Sequence, residues 1–261
     1  MPKTLSATLL AAAALAGAAG AATSQTLVAL TADNRLVSID AGTRRAANPV
    51  RVTGTDAPLV GIDQRPSNGM LYGLTARGQI VTLDPRTGRA TQVSRLSEPF
   101  ESGGRAVVDF NPVADRLRVM GVSGTSLRVN VENGQATRDG SLKYGAGEWS
   151  GTTPRVTAGA YTNSFAGTTA TMLLTLDTTL GALNLQNPPN DGVQAPRARL
   201  SMAVPPGAAF DILSTGADQN QGILVAGGAL HMLNLQDGRI ETRGPVANLR
   251  AVDVIDVTAM R

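Results

Sequence analysis

A four-strand pattern that recurs along the chain is the sequence feature that most limits the possible folds. Residues 59–95 read as four apolar strands separated by three turns rich in Gly, Pro, Asn and Asp, the residues that turns favour. Residues 106–130 read as strand, turn, strand, turn, strand in the same order, with the alternating apolar residues that are typical of short, half-buried strands. Aligning the two units pairs Asp63 with Asp109, each on a first strand. The chain is therefore predicted to be built from repeated antiparallel sheets.

The spacing of the units predicts a β-propeller. The third strands of successive units are predicted to end at Asp40, Asp84, Asn130, Asp177 and Gln236. Most of these intervals are near the roughly 40–50 residues of one four-stranded blade. The last interval is longer, and we assign the excess to an inserted loop, residues 187–206, which is too rich in Pro to form a central strand.

The two ends of the chain predict how the ring closes. Residues 27–53 supply only three strands of the first unit, whereas residues 249–257 read as an innermost strand with Asp253 at the Asp position. A C-terminal strand that completes the N-terminal blade leaves no long exposed sheet edge. We therefore predict an all-β fold, a five-bladed propeller of four-stranded blades closed by the C-terminal strand. A ring of six or seven blades would need units that the sequence lacks, and a β-sandwich would not explain the spacing.

Residues 1–21 are predicted to be a secretory signal peptide. Lys3 precedes an apolar run from Leu5 to Leu15, and small residues follow, ending in a possible cleavage site at residues 19–21. A charged start, an apolar core and an A-x-A site are typical of such a leader. A retained anchor is the alternative, but it would need about 18–20 strongly apolar residues. Cleavage would leave residues 22–261 as one propeller domain in the periplasm, the cell envelope or the medium, with no further membrane-spanning segment.

Composition excludes several classes of protein. The chain has no Cys, which rules out thiolate zinc sites, iron–sulfur clusters and Cys nucleophiles. The net charge is +3 over 261 residues, and Arg alternates with acidic residues, so the basic patch expected of a nucleic-acid-binding protein is missing. The single His, His231, cannot build a His-rich metal site. With Met232 it reads as an ordinary strand pair rather than a copper site.

Several motifs together resemble a known family. They are the DFNP…DRLRV run at 109–119, the GID…LYGL run at 61–74, the D-P-x-T-G turn at 84–88 and the AYTN…QNPPNDG run at 160–192. The combination resembles an uncharacterised family of exported bacterial proteins, catalogued as a domain of unknown function and thought to be propeller-like. The resemblance implies an exported bacterial protein and a fold. It brings no activity and no catalytic residues.

The strongest candidate site is a set of aspartates on the predicted innermost strands. Its members are Asp63, Asp109, Asp211 and Asp253. If the ring forms, these strands line the central channel and the carboxylates approach one another. Converging carboxylates suit Ca²⁺, which takes roughly 6–8 oxygen ligands, or acid/base chemistry in which one carboxyl of a close pair keeps its proton. The alternative is structural, with each Asp capping a turn or accepting backbone N–H groups within its own blade.

Two other stretches are candidates for a functional role. Trp149 and Tyr144 lie in a Gly-rich connection between the third and fourth units, where an aromatic side chain could stack on a sugar ring or a partner, or fill the gap between two blades. The loop at residues 187–192 could carry function, as long loops on rigid scaffolds often do, or wrap over the rim of the ring.

Two functional classes fit this sequence. The first is a non-catalytic binding or scaffold module that recognises an envelope protein or a glycan, and the scarcity of reactive residues favours it. The second is a glycan-directed hydrolase that uses two of the channel aspartates. Propellers host both kinds of function, so the fold alone does not choose between them.

Overall fold

The structure is a computed structural model that describes residues 25–103, 105–249 and 253–261. The predicted signal peptide, residues 1–21, lies outside these ranges. The described chain forms 22 strands and one short 3₁₀ helix, Pro189–Asp191. No helix in these ranges has the length and apolarity needed to cross a membrane.

The strands of the first three blades follow one another along the chain, each sheet being antiparallel. Blade 1 contains β1 (Thr26–Thr31), β2 (Arg35–Asp40), β3 (Arg45–Ala46) and β4 (Val50–Arg51). Blade 2 contains β5 (Leu59–Gln64), β6 (Leu71–Thr75), β7 (Gln79–Leu83) and β8 (Ala90–Arg95). Blade 3 contains β9 (Ala106–Asn111), β10 (Arg116–Gly121), β11 (Ser126–Val129) and β12 (Ala136–Arg138).

The remaining strands form two further blades and the closing strand. Blade 4 contains β14 (Val156–Tyr161), β15 (Leu173–Asp177), β16 (Ala182–Gln186) and β17 (Val193–Arg199), and the short β13 (Lys143–Tyr144) pairs with β17 in parallel. Blade 5 contains β18 (Ala209–Gly216), β19 (Gln219–Ala226), β20 (Ala229–Leu233) and β21 (Ile240–Pro245). The last strand is β22 (Val254–Met260).

The C-terminal strand closes the ring as predicted. β22 pairs antiparallel with β1, placing Met260 opposite Thr26, and is the innermost strand of blade 1. The inner strands β22, β5, β9, β14 and β18 each contact the next and form a closed circle. The prediction of five blades and of this closure is confirmed. The closing strand was predicted at residues 249–257 but begins at Val254 and ends at Met260. Residues 250–252 lie outside the described ranges.

The sequence misplaced the strands of blade 4. The segment ending at Asp177 is the second strand of its sheet, and the third strand ends at Gln186. The short turn between β15 and β16 looks like the turn after a third strand, which caused the error. The extra length therefore lies in residues 139–155, before blade 4, and residues 193–199 pair as its outer strand. Pro196 is tolerated there because an outer strand leaves N–H groups unpaired.

Apolar packing occurs between neighbouring blades. The buried apolar residues of the described chain form five clusters, and each cluster joins two adjacent blades. The cluster between blades 3 and 4 is the smallest, with six buried residues that include Val107, Met120 and Tyr161. The other four clusters contain at least ten buried residues each. Since burial of apolar area is the main favourable term in folding, this interface is the one at which polar contacts have the largest relative weight.

A buried ionic network also joins blades 3 and 4. Arg118, on β10, is 1% exposed and donates to the hydroxyls of Ser126 (3.0 Å) and Tyr161 (3.3 Å) and to the side-chain oxygen of Asn190 (3.0 Å). The same guanidinium pairs with Asp139, whose side chain is 3% exposed. Tyr161 and Asn190 belong to blade 4, so one side chain of blade 3 ties the two blades together.

Candidate functional site: the channel belt and the loop face

Side chains of the inner strands bond to the backbone of the next blade in a repeating register. Each of the five inner strands has one equivalent position in this register. At four of these positions the side chain accepts a hydrogen bond from a backbone N–H of the neighbouring blade. The donor is the residue directly after the equivalent position of that blade. The bonds run from Phe110 N to Asp63 Oδ2 (2.7 Å), from Tyr161 N to Asp109 Oδ1 (2.9 Å), from Ala259 N to Asp211 Oδ2 (2.7 Å) and from Gln64 N to Thr258 Oγ1 (3.3 Å). The fifth position is Ala160, which has no acceptor. We call Asp63, Asp109, Asp211 and Thr258 the channel belt.

The structure places three of the four predicted aspartates in this belt and leaves the fourth outside it. Asp253 is exposed and precedes the closing strand, and Thr258 takes the equivalent position. The comparison of the units considered only Asp at this position. It therefore missed Thr258, whose hydroxyl oxygen also accepts a backbone N–H from the neighbouring blade.

The acidic residue within the closing strand, Asp256, was also missed. Asp256 lies two residues before Thr258 and accepts from Ile62 N (2.8 Å), next to Gly61. A Cβ on Gly61 would lie 3.0 Å from the Asp256 carboxylate and 2.4 Å from Val108. Glycine is therefore required for the close approach of these inner strands.

Burial sets the protonation of the belt. Asp63, Asp109 and Asp211 are all buried, and loss of solvation disfavours their charged forms. Burial, together with the charge of Asp211, raises the pKa of Asp63 to about 8, although three donors oppose the shift. Burial and the neighbouring carboxylates also raise the pKa of Asp109 well above its usual range, and burial raises that of Asp211. The belt therefore retains protons under conditions in which an exposed Asp is ionised.

This retention of protons predicts an unusual pH dependence of stability. The folded pKa of Asp63 lies above its ordinary value of 3.8, so the proton stabilises the folded state fully below about pH 4, and this stabilisation is lost as pH rises towards 8. We expect the melting temperature to fall by several degrees between pH 5 and pH 9, about 2–4 °C for each kcal/mol. Thermal melts across this range would measure it. Asp63→Asn should flatten the slope, Asp237→Asn at an exposed turn should not, and a melting temperature that rises with pH would contradict the assignment.

The described residues contain no group of three or more His, Asp or Glu side chains arranged to hold a metal ion. The belt carboxylates meet backbone N–H donors, as the structural alternative proposed, but the donors come from neighbouring blades as well as their own. A Ca²⁺ ion would have to displace these donors. The calcium site at Asp63, Asp109, Asp211 and Asp253 stays a prediction.

The loops that join inner to second strands form one face of the ring, which we call the loop face. It comprises residues 65–70, 112–115, 162–172 and 217–218. Bonds between blades hold these loops in place. Arg65 donates to both carboxylate oxygens of Asp115 (2.6 and 2.8 Å) and to Glu132 (2.9 Å), which joins blade 2 to blade 3. Bidentate Arg–carboxylate pairs are among the stronger surface contacts, so the loop face is preorganised.

Exposed apolar side chains recur on the loop face. Met70 is 47% exposed, Val113 is 48% exposed and Met172 is 39% exposed. They occupy the same loop in three consecutive blades. Three more large apolar residues of the described chain are exposed, Val93, Val122 and Met202, but they lie on other parts of the ring. Exposed apolar residues that share one surface mark interaction sites more often than singly scattered ones do.

The other residues singled out from the sequence have local partners. Trp149 packs edge-on against Tyr144 with ring centroids 5.3 Å apart, and the Arg199 guanidinium lies 5.3 Å from its ring centre. Trp149 thus fills space beside the outer strand of blade 4. His231 Nδ1 is 3.0 Å from the Thr242 hydroxyl on the adjacent strand, an ordinary strand pair. The loop at 187–192 is bonded to the connection before blade 4, through Gly140 and Lys143.

Fold and belt together define the class of protein, a five-bladed β-propeller whose inner strands are joined by buried side chains. Within that class the chain belongs to the family described as "Domain of unknown function (DUF4394)", whose model matches residues 35–258. The resemblance inferred from the DFNP and QNPPNDG motifs is confirmed.

Solved structures resemble this chain at low sequence identity. A protein of unknown function from Bacteroides thetaiotaomicron matches with a TM-score of 0.54 and 15% identity over 89% of this chain. The match covers 61% of that protein, so the present chain spans less than two thirds of its length. A protein of unknown function from Bacteroides caccae matches with a TM-score of 0.46 and 14% identity, over 85% of this chain and 73% of the other. No curated protein matches the sequence.

Proposed function

We propose that this protein is an exported bacterial binding module without catalytic activity, which recognises a component of the cell envelope through its loop face. The observation that carries the proposal is that the loop between the inner and second strands exposes a large apolar side chain in each of blades 2, 3 and 4, namely Met70, Val113 and Met172. Burial of exposed apolar side chains is a main source of affinity between proteins and their partners. The signal-peptide pattern of residues 1–21 supports export.

The contacts of the belt support a non-catalytic role. Each belt carboxylate accepts at least one backbone N–H, whereas the carboxyl groups of a glycosidase must reach the glycosidic oxygen and the sugar carbon. Groups already committed to joining blades are poorly suited to that task. The loop face, in contrast, presents side chains to solvent.

A matched pair of variants tests the proposal. The face variant combines Met70→Ser, Val113→Ser and Met172→Ser, and the control combines Val93→Ser, Val122→Ser and Met202→Ser, which removes apolar groups of similar exposure elsewhere. In sedimentation with isolated bacterial envelopes, we expect the face variant to bind at least about tenfold more weakly, about 1.4 kcal/mol, and the control to bind like the parent. Equal binding by all three proteins, with unchanged melting temperatures, would contradict the assignment.

A glycan-directed hydrolase is the second candidate, and one observation favours it. The raised pKa of Asp63, about 8, leaves that carboxyl protonated near neutral pH, as a general acid requires. Release of reducing ends from envelope glycans by the parent, lost in Asp63→Asn and kept in Asp237→Asn, would establish this function in place of the binding module.

A further inference from the structure

A cleft opens on the loop face between blades 4 and 5. It has a volume of about 300 Å³, which is at the lower end of the range for small-molecule sites. Blade 4 contributes Thr162, Met172 and Arg197 to its lining, and blade 5 contributes Asp218, Asn220 and the turn that follows β20. The cleft lies at the blade interface where Ala160 interrupts the channel belt.

One wall of the cleft is fixed by a carboxamide from the opposite blade. Asn163 of blade 4 donates its N–H to Asn220 Oδ1 (2.7 Å), and its Oδ1 accepts from Asn220 Nδ2 (2.9 Å) and from Asp218 N (2.9 Å). Asn163 and Asp218 both have left-handed backbones, with φ of 52° and 59°. Residues held in sparsely populated conformations cluster at binding sites, where the surrounding contacts maintain them.

The other wall is fixed in a similar way. Arg197 donates Nε to the carbonyl of Leu235 (2.7 Å) and Nη2 to Gln236 Oε1 (2.5 Å), and Asn234 Oδ1 accepts from Gln236 N (2.8 Å). Each of these contacts occupies only some of the hydrogen-bonding atoms of the side chain that makes it. The hydrogen bonds of the described chain leave Asp218 Oδ2, Arg197 Nη1 and Asn234 Nδ2 to face the cleft or solvent. A ligand would therefore meet both donors and acceptors already held in position.

We propose that this cleft binds a neutral saccharide unit of an envelope glycan, an inference that rests on the binding function of the loop face. Carboxamide, carboxylate and guanidinium groups supply donors and acceptors together, which suits hydroxyl groups that both give and accept hydrogen bonds. One acidic and one basic side chain, Asp218 and Arg197, balance each other, so a phosphate or another strongly charged ligand has no net attraction. Met172, which lines the cleft and is 39% exposed, provides apolar surface for the C–H groups of a sugar ring.

Two variants with the same local effect test the proposal. Asn234 caps the turn after the third strand of blade 5, and Asn130 caps the equivalent turn of blade 3 by accepting from Glu132 N (3.1 Å). Asn234→Ala and Asn130→Ala therefore lose the same kind of turn bond, but only the first removes a group from the cleft. The probes are neutral mono- and disaccharides in saturation-transfer NMR with the full chain, together with glucose 6-phosphate and an uncharged peptide mixture.

We expect at least one neutral saccharide to bind the parent and Asn130→Ala alike, and to bind Asn234→Ala and Asp218→Asn at least about tenfold more weakly, about 1.4 kcal/mol. The proposal is overturned if no neutral saccharide binds, if both Asn variants weaken binding equally, or if the peptides or the phosphate sugar bind better than every neutral sugar. If saccharides fail while the double variant Met70→Ser and Val113→Ser, which keeps Met172 in the cleft, still binds envelopes more weakly than the parent, the saccharide proposal alone falls. If envelope binding also fails, both proposals fall.

Discussion

Arg118→Ala should lower the free energy of unfolding by about 3 kcal/mol, the lower end of the usual cost of breaking a buried ion pair, because Arg128 still pairs with Asp139. The substitution removes one of the two Arg partners of Asp139, whose side chain is 3% exposed. Asp139 then pairs only with the partly exposed Arg128. It also leaves the Tyr161 hydroxyl and the Asn190 side chain without their shared donor, at the interface with the smallest apolar cluster. Chemical denaturation followed by intrinsic fluorescence would measure the change.

Two comparisons separate this explanation from a general effect of losing an Arg. Arg116→Ala, on the same strand but with an exposed side chain bonded only to nearby carbonyls, should change stability by less than about 0.5 kcal/mol. Adding Asp139→Leu to Arg118→Met should recover much of the loss, because replacing both charges removes the uncompensated carboxylate. A small loss in Arg118→Ala, or no recovery in the double variant, would show that the network contributes little.

Deletion of residues 253–261 should prevent cooperative folding altogether. The change removes the inner strand of blade 1, buried at Val254, Val257 and Ala259, and its contacts with β5 and β18 on either side. It also exposes the edge of β1. Asp211 loses the Ala259 N–H donor, and Asp63 loses the Thr258 hydroxyl. We expect no sigmoidal thermal melt and increased aggregation, since unpaired strand edges promote association between chains.

A milder change and a rescue complete this test. Thr258→Val keeps the strand but removes one hydroxyl, so it should cost only about 1–3 kcal/mol. A synthetic peptide of residues 253–261 should restore part of the melting transition to the truncated chain. A truncated chain that melts cooperatively at the parent's temperature would show that the ring does not depend on its closing strand.

Sequence patterns predicted those features that each blade carries within itself. Alternating apolar residues and turn signals gave five sheets, and Asp63, Asp109 and Asp211 were correctly placed on inner strands because their units share one register. The same alignment of units placed the wrong residue of the last strand at the inner position. Its equivalent residue is Thr258, and an Asp at position 253 attracted the alignment away from the true register, which only the pairing of β22 with β1 defines.

The cleft between blades 4 and 5 could not be predicted in the same way. Its residues are distributed from Thr162 to Gln236, and each of them is an ordinary turn or strand residue in its own blade. Only ring closure brings them together. The Arg118 network escaped for a similar reason, since its partners lie in two blades and Arg on an alternating strand suggests a solvent-facing position.

The pairing of β22 with β1 also determines when the molecule can acquire its fold. Thr26 and Met260 are neighbours in one sheet, so the two ends of the described chain must meet before the circle is complete. Closing so long a loop is entropically unfavourable, and folds dominated by distant pairings form slowly. A nascent chain lacking its final strand can form separate sheets but cannot join them in a circle. The ring can therefore be completed only after residues 254–260 have been synthesised, more than 220 residues after the strand with which they pair.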